Sequence, residues 1–98
     1  MAEKDDKISE LQFKVNNRRN KLLGLWLAGE FGLSGDEAEA YAKTVVMADF
    51  EEPGDDDVVR KVLGDIQAKG ASVEESAVRA KMQELLHSAK DQVFGATD

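Results

Sequence analysis

The sequence predicts an all-α protein, a four-helix bundle with a long first helix and short connections. Three observations predict it. Apolar residues recur at helical spacing along the chain, and no run alternates apolar with polar as a half-buried strand would. S-x-x-E boxes at Ser34–Glu37 and Ser72–Glu75 mark two helix starts. Gly32, Pro53-Gly54 and Gly70 mark the stops between segments. The 98 residues suffice for one core, because a chain of this size buries only roughly 60–70% of its unfolded surface.

The first helix is expected from about residue 5 to 31. At 100° per residue, Ile8, Leu11, Val15, Leu22 and Trp26 fall within a stripe about 60° wide, interrupted by Arg18 and Arg19 on its flanks. Leu22, Leu23, Leu25, Trp26 and Leu27 together cover about 200°, as a helix central to a bundle requires. Gly24 and Gly29 are read as places where neighbours approach closely. The leading half carries few apolar residues among many charges, so it is expected to protrude from the bundle.

The second helix presents Ala38, Tyr41, Ala42, Val45 and Val46 on one face. Pro53-Gly54 ends it. Asp55 is the expected N-cap of the third, with Asp56 and Asp57 in the first turn, where the helix dipole favours anions. Val58, Val59, Val62, Leu63 and Ile66 form its apolar face. The fourth, opened by the Ser72 box, presents Val78, Met82, Leu85, Leu86, Ala89 and Val93. Residues 95–98 are expected to fray.

Charge is distributed unevenly. The net −7 resolves into +1 over residues 1–33, −8 over 34–57 and 0 over 58–98. An acidic chain makes a poor general nucleic-acid binder, which needs excess Lys and Arg against phosphates. With no Cys and one His, thiolate metal sites are excluded and few routes to nucleophilic catalysis remain. The first twenty residues are mostly polar, and the longest uncharged run, residues 22–29, is far too short to span a bilayer. A cytoplasmic protein without membrane insertion is expected, with attachment to a membrane-bound partner left open.

Local motifs say little about chemistry. An EF-hand register starting at Asp49 puts Gly54 at the sixth position but Pro53 at the fifth and Arg60 at the twelfth, so two ligands fail. Lys14, Arg18, Arg19 and Lys21 form a basic cluster, suited either to an anionic ligand or acidic partner, or to internal contact with the −8 stretch. No phosphate-cradling glycine loop accompanies it. His87 reads as a surface histidine, and Trp26 and Tyr41 as core residues whose polar tips find partners.

Longer strings are more specific. Residues 18–26 read RRNKLLGLW, 33–62 read LSGDEAEAYAKTVVMADFEEPGDDDVVRKV, and 78–86 read VRAKMQELL. They resemble the zeta subunit family, the ATPase-inhibitor subunit of the F-type ATP synthase in alpha-proteobacteria, over roughly residues 10–93. The resemblance implies a four-helix bundle and a regulatory, non-enzymatic role. It implies partners in the catalytic head and rotor of the synthase, and peripheral attachment to the inner membrane through that complex. Inhibition in the family belongs to an N-terminal segment that becomes helical on wedging into a catalytic interface.

Carried onto this chain, residues 1–15 form the inhibitory extension, mobile or helical, and residues 16–94 the bundle. Ile8, Glu10, Leu11, Phe13, Lys14, Val15, Arg18 and Arg19 are the expected partner-binding residues. The family's F-D-x-R-E-x-A-x-E-x-K-F-A stretch is replaced by MAEKDDKIS, from which weakened or lost inhibition is expected. No cofactor is required, although the resemblance implies weak binding of ATP or ADP. The second reading is a non-inhibitory helical domain that binds a purine nucleotide or another protein as a sensor.

Overall fold

Each predicted helix forms. The structure, a computed structural model, describes the backbone of residues 2–51 and 54–95, with side chains from Glu10 onward in those ranges. Ile8, as a side chain, and residues 96–98 lie outside the described residues. The helices are α1 (Ala2–Glu30), α2 (Gly35–Glu51), α3 (Asp55–Lys69) and α4 (Glu75–Gly95). The described residues contain no strand. At 29 residues, α1 is roughly 43 Å long and accounts for most of the 48 Å long axis of the molecule. Helices α2 and α4 pack along α1, and α3 lies against α2 and α4.

The core is apolar and joins all four helices: Leu23 and Leu27 from α1, Val45 from α2, Val58, Val59, Val62 and Ile66 from α3, and Val78 and Met82 from α4. Two glycine stops act as the sequence predicts. Gly32 (φ 78°) and Gly70 (φ 67°) take the left-handed conformation that side chains resist. Behind them the Leu33 amide donates to the Ala28 carbonyl at 2.8 Å, and the Ala71 amide to the Ile66 carbonyl at 3.0 Å. Both ends are therefore closed by the 6→1 hydrogen bond that satisfies orphan carbonyls.

Several local expectations change. The N-cap of α3 is Gly54, not Asp55, and no side chain caps it. The Asp55 carboxylate instead accepts a hydrogen bond from Arg19 of α1. α4 begins at Glu75, two residues later than a Ser72 cap requires, with the Val78 amide bonded to the Glu74 carbonyl. Ala71 and Val73, on either side of Ser72, pack on the core, which holds this stretch in the connection ahead of the helix. Of the two glycines read as contact points, only Gly24 is one. A Cβ there would lie 2.5 Å from the Cα of Ala42, whereas Gly29 is exposed with nothing within 4 Å.

Trp26 is half-buried against the core, with the Lys81 ammonium 5.3 Å from its ring centroid. Trp26→Ala should therefore cost about 1–2 kcal/mol in urea unfolding, less than full burial would give. A loss above about 4 kcal/mol would show that the ring carries a core role. Tyr41 stacks edge to face on Phe31 and donates to the Asp65 carboxylate at 2.8 Å. Burial first, then that hydrogen bond and the Asp65 charge, push the phenol pKa above its ordinary range.

Candidate partner-binding site

The basic cluster of α1 divides by direction, because residues three and four apart share a helix face and adjacent ones do not. Lys14, Arg18 and Lys21 line one side of an open groove of about 530 Å³, completed by Leu11 and Asn17 of α1, Val46 of α2 and Gln92 and Val93 of α4. Lys14 pairs with Glu10 one turn earlier at 3.7 Å, and Lys21 with Glu39 of α2 at 3.5 Å. Both pairs are exposed and contribute little to stability.

Arg19 turns the other way. It is 2% exposed, and its Nη2 donates to Asp55 at 2.9 Å while its Nε donates to the Oδ1 of Asn20 at 3.0 Å. Asn20, fully buried, donates from Nδ2 to Asp49 at 2.9 Å. The other oxygen of Asp49 accepts the Gly54 amide at 3.1 Å. This chain of bonds ties the α2–α3 turn to the middle of α1. It also joins the two most specific strings of the sequence, RRNKLLG and ADFEEPGD, into one structure. Half of the cluster thus reaches the −8 stretch, through Arg19–Asp55 and Lys21–Glu39.

The described residues among the predicted site set fall into two groups. Glu10, Phe13 and Lys14 are exposed on the leading half of α1, Arg18 is exposed just past its midpoint, and Leu11 is half-buried. Val15 is 4% exposed and, like Arg19, is enclosed by the bundle. Neither presents a surface to a partner; they hold α1 in place. The sequence reading overlooked Phe50, which is 61% exposed at the end of α2, its ring 5.7 Å from that of Phe13. A large aromatic between acidic residues just before Pro53-Gly54 was the available signal. Among the described residues, no group of three or more His, Asp or Glu could hold a metal ion. No helix of the described residues is long and apolar enough to cross a membrane.

The strings that meet in this network are matched as a whole by a family model, ATPase inhibitor subunit zeta, over residues 3–92. The chain belongs to this family. A solved structure determined by solution NMR is 55% identical and superimposes with a TM-score of 0.76, covering 88% of this chain and 98% of that one. No curated protein matches the chain. The role that goes with the zeta family is that of an ATPase inhibitor subunit. The matched residues, 3–92, take in nearly all of α1 together with α2, α3 and most of α4.

Proposed function

We propose that the chain inhibits ATP hydrolysis by the F-type ATP synthase, the leading half of α1 entering a catalytic interface of the head and obstructing its closure and the turning of the rotor. What supports this is that α1 is already helical and leaves Glu10, Lys14 and Arg18 exposed on one side and Phe13 exposed on another. A segment that is helical before binding has less ordering entropy to lose on docking. Phe13 and the half-buried Leu11 are apolar anchors, with Ile8 ahead of them in the sequence. Lys14 and Arg18 supply charge toward an acidic partner surface.

The test is ATP hydrolysis by the isolated catalytic head with added protein. Hydrolysis should fall with dose but incompletely, because MAEKDDKIS stands in place of the family's basic-acidic stretch. Phe13→Ala should weaken inhibition by roughly tenfold, as loss of an aromatic anchor does. Undiminished hydrolysis together with failure to co-purify with the head overturns the proposal.

A second reading concerns purine nucleotide. The groove bordered by Lys14, Arg18 and Lys21 has the size of a small-ligand site and three cations for a polyphosphate. Titrating ATP into labelled protein should give saturable amide shifts at Asn17, Val46 and Gln92. Shifts scattered over the surface would rule the groove out.

A further inference from the structure

Around α1 from the basic groove, two aromatic rings stand in the open. Phe13, 48% exposed, and Phe50 of α2 meet edge to face, with 72° between their planes. Rings of this size ordinarily go to the core or to an interface. Beside them is a recess of about 250 Å³, walled by Phe13, Phe50, Asn16, Asn17, Asp49 and Asp55.

The recess has a consistent chemistry of ring faces, carboxamides and carboxylates, with no base in its walls. Lys14, Arg18 and Lys21 line the other groove, and Arg19 is buried behind Asp55, where its single charge offsets only one of the two carboxylates. Asp49, Phe50, Gly54 and Asp55 of the lining belong to a stretch, residues 49–57, whose sequence has six acids and no base. The volume is below that of ordinary small-molecule pockets but accommodates one long side chain.

We infer that this recess receives an arginine side chain from a protein partner. A guanidinium stacks on aromatic faces as an ammonium does not, and its planar fork of donors suits carboxylate oxygens. The negative potential of the rim favours approach of a basic segment and disfavours nucleotide or nucleic acid. Phe50 of α2 then contributes a contact beside the leading half of α1, with Phe13 shared between the two. Only the identity of the partner, the catalytic head, rests on the proposed function.

Two measurements test the inference. The first is the affinity of the full chain for the catalytic head, for wild type, Phe50→Ala, Phe50→Leu and Phe50→Tyr, with melting temperature as the folding control. Phe50→Ala and Phe50→Leu should melt near wild type and lose about tenfold in affinity, while Phe50→Tyr, which keeps a π face, should stay within about threefold. If wild type binds and the alanine and leucine variants bind equally well, the inference is overturned and the proposed function stands. If wild type does not bind the head, the proposed function fails and the second measurement decides. It follows amide shifts on adding N-acetyl-arginine methylamide or its neutral citrulline counterpart. Shifts at Phe13, Asn17 and Phe50 with the arginine probe alone sustain the inference. Equal shifts with both probes, or none with either, overturn it.

Discussion

Replacing Asn20 with alanine is expected to destabilise the protein by about 3 kcal/mol, from a side chain with no part in the apolar core. Asn20 is the middle link between Arg19 and Asp49. Without its Oδ1, the Nε of a guanidinium that is 2% exposed has no acceptor on the protein. Without its Nδ2, Asp49 loses one donor and keeps only the Gly54 amide. Losing a partner of a buried charged group costs more than a neutral hydrogen bond contributes, because the desolvated group remains. Urea unfolding of Asn20→Ala, Asp49→Ala and the double variant gives the coupling directly. The double variant should be at least about 1 kcal/mol less destabilised than the sum of the singles. A loss under about 1 kcal/mol for Asn20→Ala would mean that water replaces its bonds and that the network does not hold the turn.

The second large effect is a methyl group added at Gly24. Helix propensity alone says that Gly24→Ala stabilises by about 1 kcal/mol. The packing says otherwise, since the new Cβ would sit 2.5 Å from the Cα of Ala42 and 3.0 Å from its Cβ. The nearest atom is backbone and cannot swing aside, so α1 and α2 must separate. Overpacking of this kind costs about 1–3 kcal/mol, and the lost contact spreads to Val45, 3.3 Å away. We expect a net loss of about 2 kcal/mol for Gly24→Ala and a larger one for Gly24→Val. Gly29→Ala is the control. It sits in the same helix with nothing within 4 Å, so only the propensity gain should remain, up to about 1 kcal/mol. A Gly24→Ala protein more stable than wild type would refute the close approach of the two helices.

These two sites mark where sequence reasoning stopped. The apolar faces of the helices were legible because their periodicity is local. On α3, Val58, Val59, Val62 and Ile66 are all buried as their spacing predicts, and Val78, Met82 and Ala89 of α4 likewise. On α1 the visible stripe marked only an edge. Leu11, Leu22 and Trp26 are half-buried, while the fully enclosed arc runs through Val15, Arg19, Asn20, Leu23 and Leu27. Two polar residues occupy core positions, and a pattern that sorts residues by hydrophobicity has to place them outside. Their burial depends on Asp49 and Asp55, distant in sequence and supplied by a turn between other helices. The family strings carried that information without revealing it, since RRN and ADFEEPGD mean little physically until the fold brings them together. For the candidate site, exposure of Phe13, Lys14 and Arg18 followed from helix geometry. Phe50 did not, because nothing local says that a phenylalanine at a helix end stays outside.

The Arg19–Asn20 network also has a mechanical meaning. Turning α1 by one residue, about 100°, would carry both side chains away from Asp49 and Asp55 together. A slide along its axis would do the same, and would bring a residue with a Cβ against Ala42 where Gly24 now sits. The helix is keyed like a shaft in its socket, so the azimuth and height of its leading half are set from within. A load applied to its leading end is then borne by the whole bundle, and the helix can neither roll nor slip to relieve it.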